Sequence, residues 1–304
     1  MTALAPLIAR RRPVGRALPA VARWIRRLFL LGLGIVFLVP LLWLLLAPTK
    51  TNDQLTSQGA LSFGSFPNVS VAWNNLMSFN HAEVLVWLGN SVGYSIAGVL
   101  LSVVAAIPAG YVLAMYSFCG RRLVLILTLI GMILPTAAIV IPIYRELALI
   151  GLTNSIWSVI LPSAFFPFGV YLTYLHFQTA LPRELVEAAR MDGATDLRVF
   201  IALGIPLARP AVALVTFFAF VANWNNYFLP YVMLVNDRLY TLQVGISTLL
   251  NSAPVINTSN TSNLPIHKPE AALAALISII PIAIFFIAFQ RVIGAGMLAG
   301  AVKG

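Results

Sequence analysis

The chain has 304 residues, of which 60% are hydrophobic and 9% charged, and its mean hydropathy is +0.92. An ordinary soluble domain carries about 25% charged residues, so composition excludes that class and leaves an integral membrane protein with its core inside the bilayer. The net charge of +10 raises nucleic acid as a partner, but its arginines are distributed as an orientation signal and exclude that reading.

The elements follow from stretches that carry no charge. Such stretches recur at about 28–47, 88–116, 123–144, 156–178, 210–234 and 271–290. Each reaches the length of about 20 residues that crosses a hydrocarbon core of about 30 Å as a helix. Runs this long close their backbone hydrogen bonds as helices rather than as barrel strands. The expectation is an all-α membrane protein with six spans, a basic tail over 1–27 and one membrane domain over 28–304. The first apolar run exceeds the usual 7–15 residues of a signal peptide. A cut after Ala47 would also set Pro48 beside the scissile bond, so the run is expected to remain as a span.

Residues 48–87 are expected to form an outside segment rich in Ser, Thr, Asn and Gly, with Trp73 and Trp87 expected near its end at head-group depth. The second span opens with Asn90-Ser91 and carries Gly93, Gly98, Ala105, Ala106, Ala109 and Gly110. Small residues of this kind let helices approach closely in a bundle. The third span holds Pro135 and Pro142, and the fourth holds Pro162 and Pro167. Proline removes a backbone donor, so kinks are expected in both.

Between the fourth and fifth spans, residues 180–207 form a charged island. The order Pro182, Arg183, Glu184 predicts a helix start, with proline early and an acid in the first turn. Leu185, Ala188 and Ala189 repeat at helical spacing, and Gly193 predicts a left-handed stop. Thr195 or Asp196 can cap a second helix, which Pro206 and Pro210 lead into the fifth span. A helix-turn-helix can read DNA, but one tethered at both ends to a bilayer cannot readily lie in a groove. The fifth span contains Asn223, Trp224, Asn225, Asn226 and Tyr227.

With the N-terminus inside, fifteen of the basic residues fall on the inner side and four (Lys50, Arg145, Arg238 and Lys268) on the outer. That bias predicts both termini in the cytoplasm. Arginines at 10–27 also suit anionic lipid head groups. Cys119 is the only cysteine, so no intramolecular disulfide forms. His81, His176 and His267 are scattered, and no phosphate loop, nucleophile elbow or zinc motif is present. No enzyme chemistry and no bound metal or cofactor are expected of this chain.

The run Glu187-Ala188-Ala189, three residues, Gly193, then an apolar stretch to Ile205-Pro206 resembles the EAA motif of ABC importer permeases. Further blocks resemble the maltose-type carbohydrate uptake permeases of that superfamily. They are Asn90-Ser91, Pro135 with Ile141-Pro142-Ile143-Tyr144, Gly151-Leu152-Thr153-Asn154, Pro182-Arg183-Glu184-Leu185, Trp224-Asn225-Asn226-Tyr227 with Pro230, Thr241-Leu242 with Gly245, and the tail from Phe289-Gln290-Arg291 to Gly300-Ala301-Val302-Lys303-Gly304. Two departures stand out. Gly204 precedes the usual apolar-Pro ending and is expected to loosen that helix, and the segment 251–268 is longer than usual.

The resemblance implies a bacterial plasma-membrane subunit that forms a pathway with a second permease. ATP and Mg would bind two ATPase subunits, or a homodimer, beneath the pair. An extracytoplasmic solute-binding protein would deliver a sugar. The island would be the ATPase-coupling loop, with Glu184, Glu187, Ala188, Ala189, Asp192, Gly193 and Pro206 as its working residues. Sugars take hydroxyl hydrogen bonds and flat apolar faces, which marks Asn90, Ser91, Tyr94, Asn223, Asn225, Asn226 and Tyr227 as pathway candidates. Buried asparagines serve equally as ties between helices, at about 0.6 kcal/mol each. The competing classes are an ion-coupled secondary transporter, a permease for another solute and a structural scaffold. A proton-coupled carrier would place ionisable residues within its spans, and here they fall outside the apolar cores.

Overall fold

The computed structural model describes residues 20–253 and 264–301. Among them every regular element is a helix. Helix α1 (Ala20–Leu46) carries Arg23, Arg26 and Arg27 near its start, is apolar all round from Leu28 on, and buries none of its span against the rest of the chain, as expected of a helix facing lipid.

The polar segment that follows is folded. A tight turn at Ala47–Thr49 leads through α2 (Asn52–Ser57) to α3 (Phe66–Ser78). Thr51 closes a capping box with Gln54 at the start of α2. Thr49 is the hub of the turn. Its backbone oxygen accepts from Ser65 N at 2.6 Å and from Asn68 Nδ2 at 2.8 Å, and its hydroxyl accepts from Gly64 N at 3.0 Å. A side chain at Gly64 would collide with that carbonyl, so this glycine is required by close approach. Lys50 is buried and donates to the carbonyls of Gly59 and Ala60 at 2.8 and 3.3 Å. The Ser/Thr/Asn/Gly-rich segment thus encodes a small cap.

Helix α4 (Glu83–Met115) is the axis of the molecule and packs along α8 (Pro167–Ala180) and α12 (Arg209–Trp224). Its small residues face those partners. Gly110 meets Thr173 of α8 and Gly98 meets Asn223 of α12, while Gly93 has open space.

The expected third span, 123–144, is two helices. Helix α5 (Arg121–Ile133) ends at Leu134, whose extended backbone (φ −61°, ψ 127°) is the conformation imposed on a residue before proline. After Pro135, α6 (Thr136–Leu149) departs at 109° to α5. Pro142 lies inside α6 without ending it. The fourth span begins as α7 (Ile156–Ile160), passes through a 3-10 turn at Leu161–Ala164, and resumes as α8 after Phe166. The island holds α9 (Arg183–Met191), α10 (Asp196–Val199) and α11 (Ile205–Leu207). The fifth span stops at Trp224 and resumes as α13 (Phe228–Met233). Two helices complete the described chain, α14 (Leu242–Ser252) and α15 (Lys268–Ala301).

Four stretches are long and apolar enough to cross a membrane unaided, and the number rises to six if each of two bent pairs, Arg121–Ile133 with Thr136–Leu149 and Asp196–Leu207 with Arg209–Trp224, counts as one span. The Asn-rich stretch 254–263, the basic residues before 20 and the end of the tail block lie outside the described residues.

Three apolar clusters hold the bundle. Trp87, Trp224, Leu242, Leu249 and Ile266 join α4, α12, α14 and the start of α15. Tyr94, Val140, Val159, Leu229 and Met233 join α4, α6, α7 and α13. Ile107, Tyr111, Phe177, Val186 and Val199 fasten the island to α4 and α8.

The Asn154 turn links two of the broken spans. It has φ 53°, its Oδ1 accepts from Val235 N and Asn236 N at 2.9 and 3.0 Å, and its own N–H donates to Met233 O at 2.9 Å. Asn154→Ala is expected to lower stability by on the order of 1–3 kcal/mol, through two lost hydrogen bonds and a left-handed alanine. Asn154→Gly keeps the backbone and should fall less. Thermal unfolding in detergent reads the series, and identical midpoints for all three proteins would show that the turn is held otherwise.

Candidate functional site

Three interruptions of the spans meet at one cavity of about 700 Å³. Its lining takes in Leu134 and Thr136 at the α5–α6 corner, Pro162 to Phe168 at the turn before α8, and Asn225 to Leu229 between α12 and α13. Each break has a sequence cause or marker: Pro135 at the first, Pro162 and Pro167 at the second, and the Asn225-Asn226 pair at the third. Non-helical backbone at membrane depth is tolerated where it lines a cavity, and discontinuous helices commonly form transport sites.

The back wall is tied together by neutral polar groups. Ser102 Oγ donates to the carbonyl of Ser163 at 2.7 Å, within reach also of the Gly98 carbonyl at 2.8 Å. Ser163 Oγ donates to Asn223 Oδ1 at 2.6 Å, and Asn223 Nδ2 donates to Ala219 O at 2.8 Å. Asn223 therefore has its hydrogen bonds committed to the fold. Asn226 Oδ1 accepts from Leu229 N at 3.4 Å, and the Tyr227 hydroxyl lies 3.3 Å from Ser247 Oγ. The side-chain amide of Asn225 is exposed and has no partner among the described residues. Phe165, Phe166, Phe168 and Phe228 supply flat apolar surface.

The second group of pathway candidates lies apart from this lining. Asn90 Nδ2 donates to Arg238 O and Tyr240 O at 2.7 and 3.0 Å. Ser91 Oγ accepts from Leu242 N at 2.7 Å, and the Tyr94 hydroxyl donates to Leu239 O at 3.1 Å. These three residues staple α4 to the segment leading into α14, the geometry of interhelical ties. Thr136, Ser163 and the phenylalanines at 165, 166 and 168 were not among the sequence-based candidates. Their signal was the position of Pro135, Pro162 and Pro167, which locates the breaks.

The island is the second candidate region. Helix α9 ends in a Schellman arrangement: Gly193 has φ 82°, its N–H donates to Arg190 O at 3.0 Å, and Ala194 N donates to Ala189 O at 3.0 Å. Thr195 Oγ1 accepts from Arg198 N at 3.4 Å and caps α10. Arg190 pairs with Asp196 at 2.9 Å across the turn and stacks over the Tyr116 ring at 5.3 Å from its centroid. Contact with Tyr116, ahead of that with Asp196, raises the Arg190 guanidinium further above its ordinary range. Val186 and Val199 point inward to Tyr111 and Phe177.

Glu184, Glu187, Ala188, Asp192, Gly193 and Pro206 are all exposed, and Ala189 is half-buried. Beside them stand Leu185, Met191, Leu197 and Ile201, exposed by 48%, 88%, 66% and 55%. An acidic and apolar surface is thus left open next to a fixed aromatic base. The residues at Phe200–Gly204 form a π-helical turn, with Phe200 4.8 Å from the Tyr111 ring. Gly204 is buried there, and a Cβ on it would lie 3.4 Å from that ring. Gly204 closes this wider turn and lies against the Tyr111 ring of α4.

A family model described as binding-protein-dependent transport system inner membrane component matches residues 106–298. An arabinooligosaccharides transport system permease protein, AraQ, of Halalkalibacterium halodurans is 33% identical over 283 residues, covering 91% of this chain and 96% of that protein. The maltodextrin transport system permease protein MdxG of Bacillus subtilis is 30% identical over 283 residues, covering 91% and 95%. A bacterial ABC transporter involved in import of the acidic polysaccharide alginate has a chain that superposes with a TM-score of 0.75 at 22% identity, over 89% of this chain and 96% of that one.

Proposed function

The chain belongs to the binding-protein-dependent transport system inner membrane components, and on that premise we propose that it is the permease subunit of an ABC importer whose solute is a sugar or oligosaccharide. The observation that carries this reading is the meeting of three broken spans at one cavity lined by amides, hydroxyls and phenyl rings. Those are the groups that bind hydroxyls and the apolar faces of sugar rings. Relatives named for arabinooligosaccharide and maltodextrin transport support the same class.

In this proposal a second permease closes the pathway from the open side, and a solute-binding protein delivers the solute at the face opposite the island. Both termini and the island lie in the cytoplasm. ATP and Mg act on a pair of ATPase subunits, which receive α9 through Glu184, Glu187, Ala188, Asp192 and the exposed Leu185 and Met191. Closure of the ATPase pair pushes α9. The packing of Val186, Val199 and Phe200 on Tyr111 and Phe177 then passes the movement to α4 and α8, which border the cavity. Of the pathway candidates, Asn225, Asn226 and Tyr227 face the solute, and Asn223 holds the wall behind it.

Purification of the tagged chain from native membranes in mild detergent tests the assembly. Recovery of an ATPase and a second permease, both lost in the Glu187→Ala, Gly193→Val double variant, is the expected result. Recovery of the chain alone, with solute movement in vesicles that needs no ATP, would replace the importer by an ion-coupled carrier.

A further inference from the structure

Resting on the sugar-permease reading, we propose that the cavity selects solutes without net charge, and that the Asn225 amide, with Asn226 and Thr136, is the group that holds their hydroxyls. The lining contains Ser102, Thr136, Ser163, Asn223, Asn225, Asn226 and Tyr227 as its polar members, and among the described residues no Asp, Glu, Lys, Arg or His. A charged solute would leave water there with no counter-charge fixed by this chain, and an isolated charge in an apolar surround is strongly disfavoured.

The broken helices do not supply the missing charge. Each break sets the C-terminal end of one helix beside the N-terminal end of the next: α5 with α6, α7 with α8, and α12 with α13. Their dipoles oppose one another locally, so neither sign prevails. Pro135 before α6 and Pro167 at the start of α8 each remove one further donor from those N-terminal ends. What remains is a mixture of acceptors and neutral donors against rings, which suits a polyhydroxyl compound. The amide of Asn225 both donates and accepts, is exposed to the cavity, and is not spent on the fold. The shared backbone of the alginate importer does not carry that importer's acidic substrate over to this chain, because charge preference is set by the lining and not by the fold.

The test uses the assembled transporter in nanodiscs. Cys119, the only thiol of this chain, is replaced as Cys119→Ser, and a reporter is placed on the cavity lining by Ala137→Cys or, independently, by Ala222→Cys. Asn225→Ala is added to each reporter, where it is expected to weaken protection by solute. Methanethiosulfonate reagents of similar size, one neutral, one sulfonated and one carrying an ammonium, are compared after normalising each to its rate with a free thiol. The neutral reagent is expected to modify both positions at least about tenfold faster than either charged one, and maltotriose to slow it more than an alginate trimer does. A sulfonated reagent that keeps pace with the neutral one, or protection by the alginate trimer in place of maltotriose, overturns the assignment. The unmodified assembly separates this from the underlying reading. ATP-dependent uptake alongside free access of the sulfonated reagent removes only the charge selection, whereas solute movement without ATP removes the importer.

Discussion

Gly193→Val is expected to abolish transport while the protein remains inserted in the membrane at normal amount. The backbone at 193 has φ 82°, and a Cβ built there has nothing within 4 Å. Steric collision is therefore absent, and the whole effect is conformational. A left-handed residue with a Cβ costs about 1–2 kcal/mol, more when it is β-branched. That is small against a stability of about 5–15 kcal/mol, so the bundle survives. The turn does not: valine leaves the left-handed region, and the bonds from Gly193 N to Arg190 O and from Ala194 N to Ala189 O are lost together. The angle between α9 and α10 changes, and under the proposed coupling role α9 would no longer meet an ATPase subunit in register. Gly193→Asn tolerates a positive φ and should retain most uptake, with Gly193→Ala in between. Uptake of labelled solute, scaled to the membrane-bound amount, reads the series. Equal uptake by the valine and asparagine variants would mean that the turn angle plays no part in coupling.

The island was legible in the sequence because its signals are local. Proline at the start, glycine at the stop and threonine at the second cap each act within one turn of chain. The long spans were legible for a similar reason, since length and hydropathy decide whether a segment can cross. The cavity was only half legible. Asn225, Asn226 and Tyr227 announced themselves as polar groups in an apolar run, but the same chemistry at Asn90, Ser91 and Tyr94 proved to be bonded to backbone carbonyls and an N–H 145 or more residues away. No local pattern separates a free amide from a spent one. The corner of 109° was also hidden. Pro135 predicts an interruption, but the direction taken by α6 depends on its packing against α7 and α13 through Val140 and Leu147. The cap at 47–78 was not legible, because a composition rich in Ser, Thr and Asn does not show that Thr49 collects three donors.

Gly110→Leu is expected to prevent assembly of the bundle, and even Gly110→Ala to be strongly damaging. Gly110 is buried where α4 crosses α8, and a Cβ added there would run into the Thr173 hydroxyl, with Thr173 Cβ at 2.6 Å and Tyr174 N at 2.8 Å. The hydroxyl cannot swing aside freely, because Thr173 Oγ1 donates within α8 to Gly169 O at 2.8 Å or across to Ala106 O at 3.1 Å. Nor can the neighbouring turn yield, since Gly169 itself lies against Phe166 and Ala106. The helices must then separate, which opens a void along a close-packed face. Overpacking of this kind costs about 1–3 kcal/mol for a single methylene, and separation of the backbones adds lost contacts along the crossing. The design of the test lies in the partner: Thr173→Ala removes the hydroxyl but leaves the Cβ and the Tyr174 nitrogen in place, so it should rescue Gly110→Ala only in part and Gly110→Leu not at all. Yield and monodispersity of the solubilised protein on size-exclusion chromatography read the outcome. Full rescue by Thr173→Ala would mean that side chain, and not backbone, sets the distance between α4 and α8.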